Sequence, residues 1–259
     1  MTREKNFKYI YGPVPSWRLG RSLGVDLISG ENICSFDCIY CQLGRTTRHI
    51  KERGIFVRTK DILEELDKLP KNVAMDYITL SGTGEPTLAA NLGEVIRGIK
   101  KRFDVPVAVL TNSSLFSDPA VRKELSFADL VVAKLDAVND EVLAMINRPV
   151  EGVLFEDIFH WIKVFSAENP GKLALQTMFV KKNKRYAPLL AKIAKMIRPK
   201  EVQVNTPLRP CAVKPLPPDE LAEIKEFFHP LRSYSVYDVM RPKAKPMSVK
   251  QTKKRRPVI

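Results

Sequence analysis

Three cysteines, Cys34, Cys38 and Cys41, stand at a C-x3-C-x2-C spacing, and only one other cysteine occurs in the chain. A loop that short can bring its sulfurs together around one centre, and three thiolates can wrap one face of a cubane iron-sulfur cluster. One iron is then left without a protein ligand and is open to another molecule. Two further readings stand beside this one. A structural zinc site takes four closed ligands, usually in C-x2-C or C-x2-H pairs, and the remaining thiol, Cys211, lies far along the chain. Free cysteine is also a common interior residue, although Asn32, Asp37 and the flanking turn residues do not make a core strand.

A second motif, Ser81-Gly82-Thr83-Gly84-Glu85-Pro86, follows an apolar run at 75–80. A strand that ends in Gly-x-Gly lets the backbone approach a ligand closely, and the Glu after it can take a charged amino group. The Gly-x-x-x-x-Gly-Lys signature of a triphosphate cradle is absent. Alone, this loop reads as an ordinary strand-to-helix turn. One βα unit after the cysteine triplet, it reads as the second half of a cofactor site.

Cys34, Cys38 and Cys41, with Tyr40 before the last and Gly82-Thr83-Gly84-Glu85-Pro86 following, resemble the radical S-adenosylmethionine superfamily. The segment Tyr11 to Gly24, with Cys41-Gln42-Leu43-Gly44-Arg45, is similar to a subgroup placed beside the wyosine synthases that modify tRNA. The resemblance spans most of the chain. It implies a [4Fe-4S] cluster on the three cysteines, S-adenosylmethionine bound to the open iron through its amino and carboxylate groups, and reductive cleavage to a 5'-deoxyadenosyl radical that takes hydrogen from a substrate. It also implies cofactor contacts for Tyr40 near the adenine, for Gly82, Gly84, Glu85 and Pro86, for Asn112 and Asp136 near the ribose, and for Lys134 opposite the methionine carboxylate. The wyosine synthases carry further cysteines for an additional cluster, and this chain has none before Cys34.

The elements that must position these residues alternate. Apolar runs at 23–28, 75–80, 105–111, 130–136, 173–180 and 202–206 predict strands. Amphipathic stretches at 59–69, 88–103, 118–125, 140–147, 155–166 and 186–197 predict helices. That rhythm argues an α/β fold, a partial (β/α)6 barrel with parallel strands and helices outside. The expected division is a lead-in loop at 1–22, the barrel core at 23–207, a C-terminal helix and edge strand at 208–240, and a mobile basic tail at 241–259. In parallel βα folds the loops after the strands' C-terminal ends build the site, and both motifs fall on that rim.

A buried parallel strand is continuously apolar, so polar residues inside one need a reason. Lys134 and Asp136 are two apart and share a face, as do Gln203 and Asn205, with Gln176 on the strand between them. They are candidates for the barrel interior, or strand ends emerging into solvent. Arg18 and Arg21, in the Pro- and Gly-rich lead-in, are candidates for substrate phosphate or for structural carboxylate pairs, and Arg45 and Arg48 present the same choice. Gln176, Gln203 and Asn205 complete the substrate candidates. Of three histidines, only His49 lies close to the cysteine loop.

The balance of 43 basic and 29 acidic residues, a formal +14 over 259 residues, attracts polyanions, nucleic acid first. No run of about eighteen apolar residues occurs, so no membrane span or membrane partner is expected. Four cysteines, three of them clustered, fit a reducing cytoplasm. The best reading is a radical enzyme modifying tRNA or another RNA and reduced by a flavodoxin- or ferredoxin-like donor. The alternatives are a radical enzyme acting on a protein or peptide, and a non-catalytic iron-sulfur protein that binds nucleic acid.

Overall fold

The computed structural model describes residues 7–257. An antiparallel hairpin of β1 (Ile10–Ser16) and β2 (Gly20–Val25) comes first. Two short parallel strands, β3 (Ile33–Cys34) and β4 (Arg48–His49), bracket the cysteine loop. Helix and strand then alternate: α1 (Thr59–Asp67), β5 (Tyr77–Leu80), α2 (Leu92–Lys100), β6 (Val107–Thr111), α3 (Pro119–Leu125) and β7 (Leu130–Lys134). After them come α4 (Asp140–Ile146), α5 (Phe155–Glu168), β8 (Leu173–Met178), α6 (Ala187–Ile197) and β9 (Glu201–Asn205). The last elements are α7 (Pro218–Glu226), β10 (Ser233–Ser235) and α8 (Val249–Arg255). The main sheet has the order β1-β2-β5-β6-β7-β8-β9-β10, and every pair except β1 with β2 is parallel.

Strands β6 and β7 are apolar on both faces over most of their length, which is what a covered parallel sheet requires. In β7, Val131 and Ala133 join the large core shared with the helices, while Leu130 and Val132 point the other way. These two meet Leu19, Ala108 and Ala174 in a separate small cluster on the concave face. That cluster is the floor of the barrel's interior. On the outside, α2 presents Leu92, Val95, Ile96 and Ile99, a helical stripe fully buried against the sheet. Asp118 and Asn139 cap α3 and α4 through their side chains.

The six expected strands are β2 and β5 to β9, each within a few residues of its expected bounds, in the curled partial barrel that the alternation implies. β10 adds a parallel edge strand, shorter than the alternation at 233–240 suggests because Asp238 accepts the Ser235 backbone N–H at 2.7 Å and turns the chain. The sheet's edges, β1 and β10, are not paired. Trp17, just after β1, nonetheless reaches Tyr234 of β10 in an edge-to-face contact with centroids 5.8 Å apart.

Two expectations need correction. The lead-in is not a loop: β1 runs through it, and Pro13 and Pro15 are tolerated because β1 is an edge strand. The basic tail is not mobile over its described length either. Residues Val249–Arg255 form a helix packed on β1, with Arg255 fully buried; positions 258–259 lie outside the described residues. Among the described residues no helix is long and apolar enough to cross a membrane.

Candidate active site

The cysteine loop follows β2, the first parallel strand, and is held from outside by the end of α4. Asp37 and Ile39 donate backbone N–H groups to the Asn147 and Ile146 carbonyls at 2.9 and 3.0 Å, and Val150 donates to the Ser35 carbonyl at 2.9 Å. The buried Asp37 carboxylate ties the loop to itself through the Thr46 N–H at 2.9 Å and pairs with Arg45 at 3.0 Å. The sulfurs already face donors. Cys34 Sγ receives the Phe36 N–H at 3.4 Å and Asn112 Nδ2 at 3.5 Å; Cys38 Sγ receives Asn147 Nδ2 at 3.4 Å. Burial pushes all three thiols up, Cys38 to about 11, so they become thiolates on binding metal rather than in advance of it. Among the described residues no three His, Cys, Asp or Glu side chains are set to hold a single metal ion. Cys211 lies apart, its thiol donating to the Val213 carbonyl at 3.1 Å. His49 accompanies the loop, its Nε2 at 3.1 Å from the Ser35 carbonyl.

The glycine loop docks onto the cysteine loop. Gly84 bridges to Ile33, and Glu85 donates its N–H to the Ile33 carbonyl at 3.0 Å. A Cβ on Gly84 would sit 2.0 Å from that carbonyl oxygen, and one on Gly82 would sit 2.1 Å from Cγ of Asp26. Both positions therefore require glycine for close approach within the protein, Gly84 to the Ile33 carbonyl and Gly82 to the Asp26 side chain. Pro86 opens a 3-10 turn behind the loop and does not line the cavity. Glu85 does line it, but its carboxylate already accepts from Thr87 N–H and Oγ1, Thr111 Oγ1 and the Asn112 N–H, at 2.7 to 3.1 Å. Desolvation raises its pKa against those bonds. It braces the ends of two βα loops; an amino-group acceptor held this way is not a free one.

Above the apolar floor, the interior is a cavity of about 300 Å³ reached by Tyr40, Cys41, Asn112, Lys134, Gln176 and Asn205. Lys134 lies with Nζ 4.5 Å from the Tyr40 ring centroid and 4.0 Å from Asp136. Asn112 lines the cavity while donating to Ser35 Oγ at 2.8 Å. Gln176 Nε2 is buried with no partner among the described residues, an orphaned donor beside the cavity.

Three substrate or cofactor candidates fall elsewhere. Asp136 does not line the cavity: it accepts from the Tyr40 hydroxyl, Asn147 Nδ2 at 2.9 Å and the Met178 N–H at 2.6 Å. Its carboxylate does lie beside Lys134, as period-2 reasoning expects, but β7 ends at Lys134 and the Tyr40, Asn147 and Met178 donors hold Asp136 outside the cavity lining. Gln203 lies deeper, donating to Glu201 at 2.9 Å and outside the cavity lining. Arg21 makes a two-bond pair with Asp76, at 3.0 and 2.6 Å, at the start of β2 and outside the cavity lining.

The structure adds residues that sequence reasoning missed. Arg209, Arg241 and Arg256 line the cavity with Arg18 and Lys134, five cations against the single carboxylate of Glu85. Their neighbour Arg255 points the opposite way, into a fully buried pair with Asp26 at 2.7 Å. Asp26 in turn accepts from Thr83 N–H and Oγ1 at 3.2 and 3.0 Å, so the C-terminal helix is coupled to the glycine loop through one carboxylate. The signal was the Lys253-Lys254-Arg255-Arg256 run, but nothing local in it names its partner.

The family model described as the Radical SAM superfamily matches residues 28–179. A UPF0026 protein of Synechocystis sp. is 48% identical over 216 residues, covering 81% of this chain and 78% of that protein. More distantly, a probable GTP 3',8-cyclase of Saccharolobus islandicus is 29% identical over 142 residues, 52% of this chain and 44% of the cyclase. Among solved structures, native anSMEcpe with bound AdoMet aligns with a TM-score of 0.60 at 19% identity, a likeness of fold. The alignment covers 83% of this chain and 64% of that one, so this chain spans just under two thirds of the longer protein.

Proposed function

This chain belongs to the radical S-adenosylmethionine superfamily, whose cofactors are a [4Fe-4S] cluster and S-adenosylmethionine, and from that premise we propose that it is a hydrogen-abstracting enzyme whose substrate is a base of tRNA or another RNA. The observation that carries the radical reading is the cysteine loop clamped at the rim of a cavity, its sulfurs already met by N–H donors. Such donors suit cluster sulfurs, whose potential depends on hydrogen bonding and exposure. The orphaned Gln176 Nε2 fits a bound polar molecule in the cavity.

When bound, the cluster supplies an electron and S-adenosylmethionine the 5'-deoxyadenosyl radical that removes hydrogen from the substrate. The protein's share is binding, orientation and exclusion of water. Cys34, Cys38 and Cys41 hold the iron. Lys134 is the cation nearest Tyr40 and is available to the methionine carboxylate, while Asn112 and Gln176 offer polar groups to the ribose. Asp136 and Asn147 fix the Tyr40 hydroxyl and act as positioning residues. The apolar floor of Leu19, Ala108, Leu130, Val132 and Ala174 shuts the cavity from below.

The RNA reading is supported by the +14 charge and by the cationic lining. A free nucleotide is the second reading, favoured by the match to the probable GTP 3',8-cyclase. A flavodoxin- or ferredoxin-like donor and a cytoplasmic setting complete the proposal, in keeping with the clustered, unpaired cysteines. The test is anaerobic reconstitution with iron and sulfide, reduction, and assay of 5'-deoxyadenosine with total tRNA, with nucleoside triphosphates, or with neither. Stimulation by tRNA is expected. Stimulation by nucleotides alone would favour the second reading, and turnover indifferent to both would direct the search to peptides.

A further inference from the structure

The four arginines of the cavity lack the carboxylate partner that eight other arginines of the chain have. Arg21, Arg53, Arg102 and Arg255 each meet a carboxylate within 4.0 Å. Arg18, Arg209, Arg241 and Arg256 meet none among the described residues, yet they surround one cavity. Arg18 lies against the Trp17 ring at 5.3 Å with Nε buried and unpartnered. Arg209 donates to Gln42, next to Cys41, at 3.0 Å, and Arg256 donates to Ser81 Oγ at 2.9 Å. Arg18, Arg209 and Arg256 are thus each aimed by a neutral neighbour, and Arg209 ties the cluster of charge to the cysteine loop. Burial and mutual repulsion pull Arg18 down to about 9 and Arg209 to about 10. An anion between them would relieve both.

We infer that Arg18, Arg209, Arg241 and Arg256 form a phosphate-binding site, and that the substrate of the radical reaction proposed above is held there by a phosphate group while its reacting carbon faces the cysteine loop. Guanidinium is the group for this because its planar fork donates several bonds to phosphate oxygens at once and keeps its charge when partly desolvated. One carboxylate could not satisfy four such forks; a phosphate, with more oxygens and more charge, can. A free nucleotide and the backbone of an RNA share this chemistry.

The test uses the full chain and reads binding, independently of iron or turnover. Trp17 fluorescence is titrated with adenosine 5'-monophosphate, with adenosine, and with an oligoadenylate lacking terminal phosphates. The mononucleotide or the oligomer is expected to bind, more weakly as salt rises, and adenosine is not. Arg18→Gln with Arg209→Gln should weaken binding about tenfold or more. Lys253→Gln with Lys254→Gln, which removes as much charge from exposed positions of α8, should change it less than about twofold. Since Arg18 packs on Trp17, the exposed Arg241→Gln, followed by thermal shift, gives a variant whose folding is not at stake. Binding of the mononucleotide identifies a free nucleotide as the source and binding of the oligomer alone an internal phosphodiester; either upholds the site. Equal binding of adenosine, equal loss in the two double variants, or no binding of either phosphate ligand overturns it. A chain that binds phosphate but cleaves no S-adenosylmethionine would sink the enzyme reading and leave this one standing; the reverse result would do the opposite.

Discussion

On the cysteine side of the cavity every buried carboxylate is saturated from within the protein. Glu85 takes four donors, and Asp26 takes Thr83, two backbone N–H groups and Arg255. On the C-terminal side, one residue beyond Arg255, guanidinium groups gather with no carboxylate paired to them among the described residues. A saturated buried charge fixes geometry and is costly to break; an unsaturated cluster of like charge is at rest only when something else arrives. The first region is scaffold for the iron loop, and the second is a receptor.

Neighbouring residues of α8's end sharpen that contrast most. Arg255→Met leaves Asp26 buried without its cation and should cost about 3–5 kcal/mol in denaturant unfolding. Arg256→Met removes hydrogen bonds to Ser81 Oγ and the neighbouring Arg255 carbonyl but strands no buried charge, and should cost about 1–2 kcal/mol; equal losses would erase the distinction between the two regions. Gly84→Ala comes next. Its methyl would strike the Ile33 carbonyl, so roughly 1–3 kcal/mol should be lost, together with iron uptake on reconstitution. A variant that keeps both would mean that the two loops do not dock as described.

The smallest effect belongs to Arg21→Gln, at the start of β2. Hydrogen bonds from the Arg21 side chain hold the Asp76 carboxyl below its ordinary value. A depressed carboxylate stabilises the fold above the unfolded aspartate value, about 3.9, and that stabilisation disappears as pH falls through the lower folded value. The variant should therefore melt slightly below the parent near neutral pH and together with it in acid. A difference that persists in acid would assign Arg21 some role beyond this pair.

The parts that sequence shows clearly are those carried by local pattern. Apolar runs with helices between them require a covered parallel sheet, and three cysteines so closely spaced must share a loop wherever the chain goes. What sequence concealed was long-range. Arg255 reads as one of four basic residues in a solvated run, and only the fold supplies Asp26 as its partner. β1 was hidden by Pro13 and Pro15, which count against a strand unless its edge position is known. Asp136 lies next to Lys134 as alternation expects, but it is taken up by Tyr40, Asn147 and Met178, and Glu85 looked available because its donors come from Thr87, Thr111 and Asn112 after folding.

The central claim is that the Cys34, Cys38 and Cys41 loop carries the cluster on which S-adenosylmethionine is cleaved. Wild-type protein and Cys38→Ala, reconstituted anaerobically and reduced with S-adenosylmethionine, should both remain folded by circular dichroism. The wild type should form 5'-deoxyadenosine and the variant should form none, with its iron-sulfur absorbance lost. Product from Cys38→Ala at the wild-type level would contradict the assignment of the site.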